Sequence, residues 1–151
     1  MPAHVPKDTD FEGRVRRSFA RQGVMETIGA VMTQVAPGEV EIAMPVSAQV
    51  GQQHGFVHAG IVATIADSAC GYAALTLMPA GTGVLTAEFK INLMAPAAGE
   101  RLIARGTVVR SGRLLSVAQA EVAAEGDGQR KTVALMTATL VNVEGRDGIA
   151  D

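Results

Sequence analysis

The amino-acid sequence predicts an α+β fold in which an antiparallel sheet of about six strands wraps around one long central helix, with a further helix at the N-terminus. Two observations carry this prediction. Residues 60–78 are apolar on nearly every side of a helix, and such a helix needs protein around it. Short segments of alternating apolar residues stand around it, two before and four after. The length of 151 residues suits one domain, predicted as 1–151 with an ordered core of about 11–143.

The elements before the central helix follow from local spacing. Apolar residues recur at helical intervals between 9 and 28, which predicts an amphipathic N-terminal helix. The solvated side of this helix is expected to carry Arg14, Arg16, Arg17 and Arg21. Next, apolar residues alternate on both sides of a turn at 36–39, which indicates a hairpin. A loop over 47–57 then leads to the central helix, which begins near Ala59.

The elements after the central helix are four strands joined by three turns, which predicts an antiparallel meander. The predicted strands cover residues 84–95, 101–110, 114–124 and 131–143. Residues 145–151 are polar and are expected to fray. Because one sheet cannot cover every side of the central helix and leaves two strand edges open, a symmetric dimer at least is expected.

Composition excludes several classes of function. A formal charge of -2 gives no electrostatic support for binding nucleic acid or an anionic membrane. Residues 60–78 are almost long enough to span a bilayer, but Asp67 interrupts them and no cationic cluster flanks them. Cys70 is the only cysteine, so a disulfide framework or a Cys-rich zinc site cannot form within the chain. The N-terminus lacks the apolar region of a secretory signal, and a cytoplasmic location is expected.

Two residues near the start of the central helix could carry chemistry. Asp67 stands about two turns inside a helix with almost no other charge, and burying a carboxylate is costly unless it has a task or an ion-pair partner. His58 stands just before the helix, where the N–H groups of Ala59 and Gly60 are expected to point outward. Such groups can hold a developing oxyanion. The alternative for His58 is a local hydrogen bond at the helix start, and a role for His54 has weaker support.

The segment His54-Gly55-Phe56-Val57-His58-Ala59-Gly60, with Asp67 following, and the strand that runs from Thr86 to Ala97 carry a family resemblance. In this order they resemble the hotdog-fold acyl-CoA thioesterases of the phenylacetate-pathway (PaaI-like) group, and the similarity runs over about 11–143. The resemblance implies a hotdog fold, hydrolysis of an acyl-CoA thioester, and dimers that commonly pair into tetramers.

The resemblance also implies roles for individual residues. Asp67, nine positions after His58, would be the nucleophile or the general base that acts on a thioester held by a neighbouring subunit. His58 would orient the thioester carbonyl, and the backbone N–H of Ala59 would donate to the oxyanion. Gln52 stands where the family often has a water-positioning Asn, and Thr86 where a Ser or Thr assists the acid across the dimer interface. Ala59 departs from the first Gly of the family's H-G-G motif, and Gln52 departs from Asn.

Further residues are expected to bind the substrate. Those near the motif and the acid are Gly55, Gly60 and Ser68. Candidates for the coenzyme A phosphates are Lys90, Arg110 and Arg113, with Arg101 beside them. His4, His54 and His58 lack metal-ligand spacing, so no metal is expected, and no cofactor is expected beyond the coenzyme A moiety of the substrate itself.

Two other functions remain open at this stage. One is a hydratase or dehydratase that acts on acyl thioesters with the same fold, although the segment around His58 and Asp67 fits the thioesterase pattern better. The other is a non-catalytic protein that binds or senses acyl-CoA. Asp67 argues against this second function, because a binding protein has little use for a desolvated carboxylate. The acyl group, small or medium and aliphatic or aryl, is decided by pocket shape and not by composition.

Overall fold

The computed structural model describes residues 4–151, which form one six-stranded antiparallel sheet around a long helix. In chain order the elements are α1 Phe11–Ala20, α2 Gly23–Ile28, β1 Val31–Ala36, β2 Glu39–Pro45, a short 3-10 turn Ala48–Val50, α3 Ala59–Leu75, β3 Gly83–Leu93, β4 Arg101–Ser111, β5 Leu115–Gly126 and β6 Gln129–Val143. The predicted α+β architecture is confirmed, and so are the hairpin and the start of the central helix.

The strand order is β1-β2-β4-β5-β6-β3, so the meander prediction is correct for β4, β5 and β6 and wrong for β3. β3 pairs with β6 at the far edge of the sheet, and β4 pairs with β2. Alternation of apolar and polar residues predicts a strand but does not predict which strand it pairs with. Here the chain crosses the end of the sheet between β3 and β4, and this crossing lets the sheet cover α3 from both sides.

The core forms where α3 lies against the concave side of the sheet. The C-terminal half of α3, residues 69–75, is fully buried. β4 passes so close to this half that a Cβ atom at Gly106 would lie 2.3 Å from the backbone carbonyl of Ala69. In the N-terminal half, Ala63, Thr64, Asp67 and Ser68 are only partly covered. One face of this half is therefore open in a single chain, as the sequence predicts.

The N-terminal region departs from the prediction in two ways. The helix breaks at Arg21 and Gln22, where the backbone of Gln22 is extended and redirects the chain so that Met25 and Ile28 reach the core. Arg14 is not solvated. Its guanidinium is buried and donates to three carbonyls at and just after the end of α3: those of Leu75 at 2.8 Å, Met78 at 3.0 Å and Pro79 at 2.6 Å.

The C-terminal residues are not frayed. A carboxylate oxygen of Asp151 accepts hydrogen bonds from Ser18 Oγ at 2.6 Å and from the Arg21 guanidinium at 2.5 Å. The backbone N–H of Asp151 donates to the carbonyl of Thr82 at 3.1 Å. These contacts hold the segment against α1 and β3 despite its polar composition. Within residues 4–151, no helix is long and apolar enough to cross a membrane.

Candidate active site

Asp67 lies on the open face of α3, where it is partly buried. The Oγ1 hydroxyl of Thr86, on β3, donates to its Oδ1 atom at 2.7 Å. Burial raises the pKa of the Asp67 carboxyl above its ordinary value, and the hydrogen bond from Thr86 opposes part of that shift. The sequence predicts that Thr86 assists the acid across a dimer interface, but the two residues meet within one chain. The result is a carboxylate that is oriented and poorly solvated.

A cavity of about 380 Å³ opens beside this carboxylate. Its wall includes Ser68, Gly71 and Tyr72 of α3, and its volume lies within the ordinary range for small-molecule sites, roughly 300–1,000 Å³. Ser68 Oγ donates to the side chain of Gln22 at 3.4 Å. A Cβ atom at Gly71 would meet no atom within 4 Å, so this glycine leaves space open one turn beyond Asp67. The structure therefore brings Asp67, Thr86 and Ser68 together at one cavity.

The N-terminus of α3 forms a second polar site. His58 is the N-cap residue, and its Nδ1 atom accepts a hydrogen bond from the backbone N–H of Gly60 at 2.8 Å. A neutral ring that accepts at Nδ1 carries its proton on Nε2. The Gly60 N–H is thus already used, contrary to the sequence prediction. Within the described part of the chain, the backbone N–H of Ala59 has no hydrogen-bond partner, and Ala59 is exposed.

A cavity of about 480 Å³ lies at this helix start, with Gln52, Phe56, His58 and Ala59 in its wall. The Gln52 side-chain oxygen accepts a hydrogen bond from the backbone N–H of His54, which leaves the amide nitrogen available. Gly55, in the same loop, has φ of +86°, a left-handed conformation that favours glycine. The structure therefore groups Gln52, His58 and Ala59 apart from Asp67.

The two groups cannot act on one atom within one chain. Nine positions along a helix correspond to about 13 Å between His58 and Asp67. A carbonyl under attack needs its nucleophile and its oxyanion donor each within about 3 Å. One chain therefore presents two separate polar groups along one helix, each at its own cavity.

The predicted phosphate-binding cations lie elsewhere. Lys90 Nζ donates to the Asn92 side chain at 2.6 Å on the outer face of the sheet, the side away from α3. Arg110 and Arg113 are exposed beside the turn between β4 and β5. Among the residues the structure describes, none of these three cations lines either of the two cavities.

Several residues at the Asp67 cavity were not predicted from the sequence: Ser18, Arg21, Tyr72 and residues 148–151. They come from three distant segments, and no local spacing marks them. Cys70, predicted as a packed thiol, is fully buried, and burial together with the Asp67 charge raises its pKa to about 12. Residues 4–151 contain no cluster of three or more His, Cys, Asp or Glu side chains with metal-binding geometry.

Comparison with known proteins identifies the family to which this chain belongs. The family model for the Thioesterase superfamily matches residues 54–131, a segment that includes His58, Asp67 and Thr86. A provisionally named esterase of Halobacterium salinarum is 31% identical over 126 residues, which cover 80% of this chain and 83% of that protein.

Solved structures show the same similarity. A thioesterase family protein from Silicibacter pomeroyi is 52% identical with a TM-score of 0.88, covering 89% of this chain and 99% of that chain. A variant of the phenylacetic acid degradation protein PaaI from Thermus thermophilus is 30% identical with a TM-score of 0.70, covering 80% of this chain and 98% of that chain.

The chain belongs to the Thioesterase superfamily, whose hotdog architecture is the sheet and helix seen here. Within that family it is similar to the PaaI-like group, which confirms the resemblance found in the sequence.

Proposed function

We propose that this protein is an acyl-CoA thioesterase that hydrolyses a small or medium acyl-CoA or aryl-CoA ester to the free acid and coenzyme A. The observation that carries the proposal is the Asp67 carboxylate, held by Thr86 at the wall of a 380 Å³ cavity in a chain of the Thioesterase superfamily. A desolvated carboxylate is a stronger base and nucleophile than a solvated one. This use explains why a helix with no other charged side chain keeps one carboxylate.

The chemistry needs one carboxylate and one oxyanion donor. As a general base, Asp67 removes a proton from water, and the resulting hydroxide adds to the thioester carbonyl carbon. The carbonyl oxygen becomes an oxyanion that accepts from the backbone N–H of Ala59, while His58 orients the carbonyl and Gln52 helps to position the water. Collapse of the tetrahedral intermediate breaks the C–S bond, and the coenzyme A thiolate takes the proton.

As a nucleophile, Asp67 would instead attack the carbonyl carbon, expel the thiolate and form a mixed anhydride that water then hydrolyses. A single turnover in ¹⁸O-labelled water tests for the anhydride route, because label in the Asp67 carboxylate identifies it. The label enters the Asp67 carboxylate only if the anhydride forms and water opens it at that carboxyl carbon. The general-base route places the label in the product acid alone, as does an anhydride that water opens at the acyl carbon.

The two polar groups are proposed to meet in a dimer. The eleven-residue strand β3 is an open edge of the sheet, and on the side facing α3 it exposes Phe89 and Leu93, which are 44% and 52% accessible. Antiparallel pairing of β3 with its copy, about a two-fold axis near Phe89 and Lys90, places Thr86 near Leu93 of the partner subunit. Leu93 lines the Ala59 cavity, so each Asp67 would face the Ala59 of the partner subunit.

Other parts of the proposal rest on the sequence. Arg110 and Arg113 are the stronger candidates for the coenzyme A phosphates, because the Lys90 ammonium is held by Asn92. Gly55 and Gly60 would shape the thioester-binding turn, and Ser68 would contact the acyl group. Pairing of dimers into tetramers, a cytoplasmic location and a reaction without metal or cofactor are further parts of this proposal.

The test is thiol release from a panel of acyl-CoA and aryl-CoA esters. Asp67→Asn keeps the volume and the hydrogen bond from Thr86 but removes the base, and it should lower kcat/KM by about a hundredfold or more. Asp127→Asn is the matched control, since Asp127 lies in an exposed turn with φ of +52°, which Asn also tolerates. Its activity should match that of the native protein.

Other outcomes would assign a different function. Binding of a non-hydrolysable acyl-CoA thioether with no thiol release from any ester would identify a binding protein. Water addition to an enoyl-CoA without thiol release would identify a hydratase. Full activity in Asp67→Asn would show that another residue carries out the reaction.

A further inference from the structure

We propose that residues 148–151 form one wall of the cavity beside Asp67 and restrict the length of the acyl chain that binds there. The Arg21–Asp151 ion pair holds these residues in place. This inference rests on the proposed function, because it assigns the Asp67 cavity to the acyl group. Gly148, Ile149, Ala150 and Asp151 all line that cavity together with Asp67 and Thr86.

The segment is fastened at its end by polar contacts. Asp151 accepts from Ser18 Oγ at 2.6 Å and from Arg21 at 2.5 Å, and its side chain is only 19% accessible. Tyr72 OH lies 3.2 Å from Ser18 Oγ, so the hydroxyl that holds Asp151 is itself held by the central helix. Ser18 and Tyr72 are both more than nine-tenths buried. A carboxylate bound by two donors, one of them charged, is a strong local attachment.

The segment is also fitted against β3. A Cβ atom at Gly83 would lie 2.7 Å from Ile149 Cγ2 and 3.0 Å from the Ile149 carbonyl oxygen. Only glycine allows the segment to lie this close to the strand. The backbone N–H of Asp151 donates to the Thr82 carbonyl, which adds a second attachment one residue before Gly83.

These two attachments determine the size of the cavity. The fastened segment closes one side of the space beside Asp67, so the end of a long acyl chain would meet residues 148–151. Release of the segment would open that side, and the cavity would accept longer chains while short chains would bind much as before. The segment therefore acts on selectivity between chain lengths and not on the chemical step.

The experiment compares butanoyl-CoA, octanoyl-CoA and dodecanoyl-CoA as substrates, and the corresponding thioethers as ligands. Asp151→Ala and Arg21→Gln should each raise the dodecanoyl-to-butanoyl ratio of kcat/KM by about tenfold, with the same change in the ratio of binding constants. Arg17→Gln is the control, because Arg17 forms an exposed ion pair with Asp10 on the same helix and does not line the cavity. Its ratio should remain native.

A second variant reaches the segment without touching the ion pair. Gly83→Val should displace Ile149 and raise the same ratio, provided that the variant keeps the native oligomeric state and melting temperature to within a few degrees. An unchanged ratio in all three variants would overturn the inference. Absence of thiol release by the native protein would instead contradict the proposed function, and the thioether binding ratios would still decide whether the segment limits chain length.

Discussion

The two ends of the central helix are completed in opposite ways. At the C-terminal end, the buried Arg14 guanidinium donates to the carbonyls of Leu75, Met78 and Pro79, which lie at and just beyond the last residue of the helix. At the N-terminal end, the His58 ring accepts the Gly60 N–H, while the adjacent Ala59 N–H stays exposed without a partner in residues 4–151. The hydrogen bonds from Arg14 stabilise the C-terminal end. The free Ala59 N–H at the N-terminal end is available to bind a substrate. One helix thus combines rigidity at one end with an available donor at the other.

The sharpest way to test this comparison is Ala59→Pro. Ala59 is the first residue of α3, where proline is well tolerated, and the extended backbone of His58 (φ −59°, ψ 136°) suits a residue before proline. The variant should fold normally but lack the N–H group, and kcat should fall by about 10²–10³. The melting temperature measured beside kcat checks that folding is intact. Unchanged kcat would show that the open donor is not the oxyanion contact.

The opposite end is tested by Arg14→Met, which keeps the length of the side chain and removes its donors. The Met78 carbonyl loses its partner and the Leu75 and Pro79 carbonyls each lose one of theirs, so the free energy of unfolding should fall by about 3 kcal/mol. Urea denaturation measures this loss, and activity per folded molecule should stay near native. The control is Arg16→Met, because Arg16 pairs with Glu12 on the surface. Its effect should stay within about 0.5 kcal/mol, and an equal loss in both variants would contradict the role assigned to Arg14.

The Asp67 carboxylate should lower the free energy of unfolding of the protein at neutral pH. Because its pKa is raised in the folded protein, the folded state holds this proton more tightly than the unfolded state does. Stability therefore decreases as the pH rises from the ordinary value of 3.8 through the folded-state pKa, and it stays lower above that. At neutral pH, Asp67→Asn should raise the free energy of unfolding by about 1 kcal/mol, and the gain should vanish at acidic pH. Urea denaturation across pH measures it, and a loss of stability at neutral pH would contradict this account.

The smallest expected effect belongs to Thr86. Its hydroxyl favours the charged form of Asp67, so Thr86→Val should raise the pKa of the carboxyl further. The acidic limb of the pH profile of kcat/KM should move to higher pH, while the plateau changes less. Thr86→Ser keeps the donor and should keep the native profile. A fall of the plateau with no movement of the limb would indicate that Thr86 packs against the acid without tuning it.

Local signals were sufficient to predict much of the fold. The turn around Gly38, the start of the helix at Ala59 and the extents of four later strands all follow from periodicity and turn residues close in sequence. The position of β3 beside β6 could not be predicted, because alternation carries no information about which strand is the neighbour. Arg14 was misplaced for the same reason, since its partners lie more than sixty residues away.

The candidate site shows the same division. His58 and Asp67 were found because both stand on one segment, where a lone carboxylate in an apolar helix is conspicuous. No local pattern in the sequence marks Tyr72 as a cavity residue, and Asp151 belongs to a segment predicted only as a polar tail. Their connection through Ser18 depends on the docking of α1, which brings together residues 133 positions apart. The cavity wall was therefore beyond prediction, although the residue proposed to react was not.

The nine-residue spacing between His58 and Asp67 has a genetic consequence. If each site takes its carboxylate from one subunit and its oxyanion donor from the other, a chain defective at Asp67 and a chain defective at Ala59 complement each other. A mixed dimer of the two would hold one site with both defects and one site with none. Two copies of the same defect would hold no intact site. Because the helix keeps Asp67 and Ala59 of one chain apart, two alleles with different defects could together restore activity that neither has alone.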